Sequence, residues 1–318
     1  MSIISDDIEQ AAALLSEGKL VAIPTETVYG LAANIFDQEA VKSIFAVKQR
    51  PLFNPLIVHL HSLAQVDEIA AEFPEKARQL ADHFWPGPLT LILKKKAVVP
   101  DLITAGKDTV ALRIPNHPIT QELLQALDFP IAAPSANPFN RISPTRAEHV
   151  EAYFGDQIPM VLEGGECQRG IESTIVGFEE GEVIVYRLGS LALEDIEKVI
   201  GKVSLRNKKE KAPNAPGMLS KHYSPKTEMV LVDDLAVALR NYPGSSIGVL
   251  QFRADSDLEG SIYQEVLSAK GSLKEAAANL YQSLHKLDSL ELDIILAERF
   301  PEEGLGKTIN DRLERAAK

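Results

Sequence analysis

The chain has 318 residues, a formal charge of −12 and 45% apolar residues. That length suits two cores rather than one, and the acidic balance makes a poor general nucleic-acid binder, because affinity for phosphate backbones comes largely from Lys and Arg. A single cysteine, Cys167, excludes an internal disulfide framework and fits a reducing compartment.

Residues 1–7 lack the basic-then-apolar pattern of a secretion signal, and no run reaches the ~18 apolar residues of a membrane span. A cytoplasmic protein without a membrane partner is the expectation. In chain order, the apolar spacing predicts a helix over 7–18, a buried strand over 20–24, a helix over 39–49 and a strand over 56–60. An amphipathic helix is expected over 62–83, strands over 89–93 and 109–114, a helix over 118–127 and a strand over 131–134. Short strands at 160–162, 173–178 and 182–186 close the set. Interleaved helices and crowded strands argue an α/β fold with an open twisted sheet, mixed rather than purely parallel.

The composition changes near residue 202, where Lys202, Arg206, Lys208, Lys209 and Lys211 face one acid, Glu210, before Pro213, Pro216 and Pro225. This divides the chain into a first domain over 1–204, a Pro-rich linker of restricted backbone over 205–227, and a smaller Rossmann-like α/β domain over 228–318.

Five segments could carry chemistry. Pro24–Leu31 places two Thr hydroxyls, a carboxylate and a phenol directly after a strand, where open α/β sheets bind ligands. Lys48 and Arg50 end a helix that Pro51 cannot continue; they are either helix terminators or an anion clamp, with Asn54 in the turn that follows. Arg113 lies in an otherwise apolar strand, so it meets either a structural carboxylate or a ligand's. Ala133–Pro138 and Ser143–Thr145 form a stiff loop, either a surface turn or a cradle for phosphate oxygens. Gly164–Val176 brings glycines that permit close backbone approach ahead of Ser173, and Arg187 follows the next strand.

Two other patterns are set aside. Gly304–Thr308 ends like a phosphate-binding P-loop but has Pro301 where that motif needs its first glycine. His59 and His61 share a strand face, yet no further ligand lies nearby in sequence to complete a zinc site.

The ordered set PTETVYGL (24–31), KQRPLFNPLIVH (48–59), WPGPLT (85–90), LRIP (112–115), APSAN (133–137), ESTIV (172–176) and RLG (187–189) resembles the YrdC family of threonylcarbamoyl-AMP synthases. APGMLSKHYSP (215–225) and GLGKTINDRLERAA (304–317) resemble its long form, which carries a C-terminal domain. The resemblance implies a nucleotidyltransferase that turns L-threonine, bicarbonate and ATP into threonylcarbamoyl-AMP and pyrophosphate, for a downstream tRNA threonylcarbamoyl transferase complex. It implies that Thr27, His59, Arg113, Ala133 and Ser173 hold L-threonine. It places Lys48, Arg50, Asn54, Thr109, Ser135, Asn137, Ser143, Arg187 and Tyr223 on the ATP side, with Lys48, Arg50, Ser135 and Asn137 as the signature tetrad. Lys48 and Arg50 would be the catalytic cations, and Mg²⁺ would arrive with ATP rather than in a cage of its own. The rival expectation is a double-stranded RNA or tRNA binding module without catalysis, resting on Lys42, Lys48, Arg50 and the 202–211 cluster; a weak tRNA contact is also compatible with the first reading.

Overall fold

The computed structural model describes residues 2–206, 222–254, 258 and 262–318; most of the expected linker, with Lys208, Lys209 and Lys211, lies outside the described residues. The first unit is built on β1 (Ile3–Ser5), β2 (Val21–Ile23), β3 (Gly30–Asn34), β4 (Ile57–His59), β5 (Leu89–Lys94), β6 (Thr109–Arg113), β7 (Ile131–Ala132), β8 (Met160–Leu162), β9 (Thr174–Glu179), β10 (Glu182–Arg187) and β11 (Ser204–Leu205). They form one sheet in the order β1-β8-β2-β3-β7-β4-β6-β5-β9-β10-β11. Parallel pairs such as β4 with β6 alternate with antiparallel ones such as β5 with β6, so the sheet is mixed, as its pattern predicts.

Strand alternation divides the residues of β6 between two environments. Val110 and Leu112 pack into the main core with Ile44, Phe45 and Leu80. Burying a side chain such as Leu112 contributes about 1.5–3 kcal/mol. Thr109, Ala111 and Arg113 take the opposite face. There Ala111 joins Ile57, Ile92, Ile175, Ile184 and Tyr186 in a buried apolar strip, and His59 and Arg113 stand beyond it at the strand ends.

Two expectations need correction. The helix over 62–83 is broken into a 3₁₀ turn, Leu63–Gln65, a short helix, Val66–Ile69, and a longer helix, Glu75–Phe84. Ala70 turns extended and bridges Lys95, and Pro74 caps the next helix, so the apolar spacing spans a break. The strand Gly30–Asn34 was not expected, because its small residues carry no β-branched signal.

The second unit holds β12 (Met229–Val232), β13 (Ile247–Gln251), β14 (Ile262–Val266) and β15 (Ile294–Glu298), all parallel, in the order β12-β15-β13-β14. This is the expected small parallel α/β layer, with a strand order different from the usual doubly wound half. Ser272 caps the helix Leu273–Asp288 by accepting from the Glu275 N–H. That helix buries Ala276, Ala277, Leu280, Tyr281, Leu284 and Leu287, an apolar stripe at helical spacing. The same core takes in Val28, Ile142 and Ile171 of the first unit, together with Tyr223, Ile309 and Leu313. The two units therefore share apolar packing beside the end of the large sheet. Gly170 marks the closest approach: its φ is +67°, and a Cβ there would strike the backbone of Ala278 in the helix Leu273–Asp288.

Candidate active site

A cavity opens beyond the ends of the parallel strands β4 and β6, the position where open α/β sheets hold ligands. Its walls include Thr27, Arg50, His59, Arg113, Ala133, Ser135, Glu172, Ser173, Arg187, His222 and Tyr223. The loop over 133–137 is laid along the preceding strand by hydrogen bonds from Leu31 N to Pro134 O (2.7 Å) and from Ala136 N to Tyr29 O (2.8 Å). Pro134 and Pro138 stiffen that loop.

One end of the cavity presents one cation and several acceptors. The Thr25 hydroxyl donates to Val28 O (2.7 Å), so in its 2.8 Å contact with Thr27 the Thr27 hydroxyl is the donor. Thr27 Oγ1 thereby keeps its lone pairs for another partner. His59 Nδ1 lies 3.2 Å from Ile57 O; a carbonyl only accepts, so Nδ1 carries the proton and Nε2 is the free acceptor. Burial first, and the nearby Arg113 second, push the His59 pKa down to about 3, which keeps the ring neutral. Arg113 lies 2.8 Å from Glu26, with both side chains almost fully buried. Arg113 therefore has a structural carboxylate and still lines the cavity. Acceptors at Thr27 and His59 beside a guanidinium suit a zwitterion, an ammonium on one side and a carboxylate on the other.

The other end is cationic. Among the described residues Arg50 Nε and Nη2 donate only to backbone, Asn54 O (3.3 Å) and Pro55 O (2.9 Å). Arg187 donates to Ser173 O (2.7 Å) and to Ser173 Oγ (3.1 Å). Burial and the adjacent Arg187 press the Arg50 pKa down, although a guanidinium stays charged. Lys48 is buried behind this wall, where its Nζ donates to the carbonyls of Ser135 and Asn137. Burial, then Arg50, pull its pKa well below the ordinary lysine value. Among the described residues no carboxylate pairs with Lys48 or Arg50. Buried like charges without acidic partners lower the cost of admitting a polyanion.

Nine of the fourteen residues implied by the resemblance line this cavity. Lys48 and Asn137 stand behind it as the frame of the 133–137 loop. Asn54 is fully buried, and neither side-chain atom finds a partner among the described residues. Ser143 donates to Glu172 (2.7 Å) rather than lining the cavity. Thr109 lies apart, in a groove of about 790 Å³ that shares the sheet face but is separated by the apolar strip. Tyr223 is at φ +64°, an uncommon conformation for a bulky residue, with its hydroxyl buried and unpartnered among the described residues.

Sequence reasoning counted the Glu26 carboxylate without giving it a partner, and it missed Glu172, His222 and two residues of the second unit, Tyr281 and Arg312. Glu172 accepts from Ser143, from Tyr281 (3.0 Å) and from Arg312 (2.9 Å). The acids sit inside the quoted strings PTETVYGL and ESTIV, whereas the partners from the second unit carried no local signal.

The set-aside patterns have structural roles. Lys307 pairs with Glu194 (2.6 Å) and Thr308 donates to Gly189 O (3.1 Å), so the P-loop-like string docks one unit on the other. Among the described residues no group of three or more His, Cys, Asp or Glu could hold a metal ion. Cys167 is buried, and burial raises its thiol pKa, which leaves no thiolate nucleophile. Of the described residues of that basic set, Lys42 pairs with Glu39 and Arg206 with Glu179, Lys48 and Arg50 are buried, and Lys202 is exposed. No described helix is long and apolar enough to cross a membrane.

Residues 13–189 match the Sua5, YciO and YrdC family model, described as telomere recombination, and residues 191–318 match a model described as the threonylcarbamoyl-AMP synthase C-terminal domain. The threonylcarbamoyl-AMP synthase of Pyrococcus abyssi is 42% identical over 325 residues, covering 98% of this chain and 94% of that one. The threonylcarbamoyl-AMP synthase of Bacillus subtilis is 40% identical, covering 98% and 92%. The crystal structure of P. abyssi Sua5 complexed with L-threonine superposes with a TM-score of 0.92 at 40% identity, over 99% of this chain and 98% of that one. E. coli YciO superposes at 0.54 with 25% identity, over 59% of this chain and 96% of its own.

Proposed function

The chain belongs to the Sua5, YciO and YrdC family, and we propose from this that it is an L-threonylcarbamoyladenylate synthase. The observation that carries the reading is the single cavity in which Arg113, His59 and Thr27 meet Arg50, Ser135 and Arg187. A small amino acid fits the first group and a triphosphate the second.

The threonine amine adds to bicarbonate and, with loss of water, becomes an N-carboxylate. A carboxylate oxygen then forms a bond to the ATP α-phosphorus, and the bond to pyrophosphate breaks. The substrates supply the nucleophile, so the protein's task is positioning and charge compensation. In this scheme Arg113 holds the amino-acid carboxylate, neutral His59 and Thr27 accept from the amine and hydroxyl, and Ser173 and Ala133 close the pocket. Arg50 and Arg187 face the phosphates. Lys48 acts by holding the carbonyls of Ser135 and Asn137, which sets the cradle's shape. The cavity's acid, Glu172, is engaged by Arg312, Ser143 and Tyr281, and in this scheme Mg²⁺ comes in as part of the MgATP substrate.

The cavity holds only about 50 Å³ with His222 and Tyr223 as part of its wall, whereas small-molecule sites run to about 300–1,000 Å³. In this scheme His222 and Tyr223 give way to admit ATP and then close over it, which excludes water from the intermediate. The product passes to a tRNA threonylcarbamoyl transferase in the same compartment, the cytoplasm. The test is to measure pyrophosphate release while omitting each substrate in turn. The reading requires that ATP, bicarbonate and L-threonine all be present; release without bicarbonate would mark a simple amino-acid adenylating enzyme instead.

A further inference from the structure

Arg312 is the largest fully buried side chain among the described residues, and it belongs to the second unit, yet its guanidinium ends at the wall of the cavity in the first. Its Nε donates to Glu172 Oε2 (2.9 Å), its Nη2 to Leu188 O (2.6 Å), and its Nη1 to Asp311 (2.5 Å). The carbon of the guanidinium lies 4.9 Å from the centre of the Tyr223 ring, within cation–π range. Tyr281, from the helix Leu273–Asp288, stacks on Tyr223 with ring centres 5.6 Å apart and donates to both oxygens of Glu172. Glu172 lines the cavity, accepts from Ser143, and precedes Ser173, to which Arg187 is bonded. Of the hydrogen-bond partners of this cluster in the first unit, Glu172 lines the cavity beside Ser173 and Arg187, Ser143 and Leu188 stand behind it, and none is Thr27, His59 or Arg113.

We infer that Arg312, seconded by Tyr281, is a positioning residue for the nucleotide: it fixes the Glu172 carboxylate and seats the Tyr223 ring, so that docking of the second unit sets the geometry of the phosphate side. The inference rests on the synthase reading above. Burial pushes the Glu172 carboxyl up, but Arg312 and then Arg187 outweigh it and hold the group below its usual range, as a shared counter-ion should be. Without Arg312, Glu172 turns toward Arg187 and removes part of the charge meant for the triphosphate, and Tyr223 loses the guanidinium over its ring.

The experiment uses the full chain and compares Arg312→Gln and Tyr281→Phe with wild type. Adenylate formation gives KM for ATP and threonine, and calorimetry with L-threonine alone reports whether the amino-acid end is intact. Arg312→Gln is expected to raise the ATP KM by about 10-fold or more while threonine affinity stays within about 2-fold, and Tyr281→Phe to shift the ATP KM in the same direction by about 3-fold. Arg312→Lys, which keeps the charge but not the planar fork, should recover part of the loss. A folded Arg312→Gln with unchanged ATP KM, or with equal losses for both substrates, overturns the inference. Should Arg312→Gln not fold, Tyr281→Phe decides alone, and a wild-type ATP KM there overturns it. A wild-type protein that makes no adenylate would instead end the synthase reading itself.

Discussion

Arg113 Nη2 and Glu26 Oε1 lie 2.8 Å apart between a strand end and the loop that follows another strand, and both side chains are shielded from water. A charge inside an apolar strand is tolerated here because its partner is buried with it. The pair holds the guanidinium in place before any ligand arrives, which reduces the ordering cost of binding. Arg113→Ala leaves Glu26 buried without its cation, a change that costs about 3–5 kcal/mol in typical buried pairs. It should abolish measurable threonine binding in calorimetry and lower Tm. Glu26→Gln keeps the shape but loosens the guanidinium, and should weaken threonine binding by about 10-fold with a smaller Tm change. Unchanged threonine affinity in Arg113→Ala would remove it from the site.

Acid should destabilise the fold through buried histidines. Burial is the main cause that lowers His59 to about 3, His149 to about 4 and His285 to about 3. The rings of His149 and His285 stack at 3.8 Å, one from each unit. Each is neutral when folded and takes up a proton near pH 6.5 when unfolded, so the unfolded state binds more protons below that pH. The stability these rings contribute is full above about pH 6.5 and is lost progressively as pH falls toward about 3. Thermal melts should show Tm falling over that window, with a shallower fall in His285→Asn. A pH-independent Tm between 7 and 4.5 would count against this assignment.

ATP binding should take up protons wherever Lys48 is neutral in the free protein. Lys48 has its pKa pulled well down by burial and Arg50, and a triphosphate nearby restores the charged form. Affinity for ATP should therefore fall as pH rises through the depressed Lys48 value, and recover its pH independence in Lys48→Met at a lower level. Calorimetry in buffers of different ionisation enthalpy reads the proton uptake directly. Proton release on binding would contradict the sign.

Cys167 should be dispensable for chemistry. Its thiol is buried, and its pKa is raised mainly by that burial. Cys167→Ala should retain rates within about 2-fold, and the wild type should resist alkylation at pH 8. Rapid inactivation by iodoacetamide would show a reactive thiol.

Much of this site was legible in the sequence because the loops at strand ends carry uncommon local strings. Arg113 stood out as a charge in an apolar strand, and the prolines around Ser135 marked a stiff loop. The partners were not legible. Glu172 and Arg312 are 140 positions apart, and only the docking of the second unit brings them together. Asn54 and Lys48 were legible as polar residues beside a helix end, but not as internal frame, because local spacing does not reveal which side of a loop faces the cavity. The broken helix between 62 and 84 shows the same limit: its apolar period continues across Ala70 and Pro74, where the backbone turns away.

The measurement that bears most directly on the convergence of cations and amino-acid groups in one cavity is adenylate formation from labelled bicarbonate, ATP and L-threonine by wild type and Arg50→Ala. The account predicts label in a threonylcarbamoyl-adenylate with wild type, and a rate lower by more than about 100-fold with Arg50→Ala. A near-normal rate with the variant, or no labelled adenylate with the wild type, would contradict it.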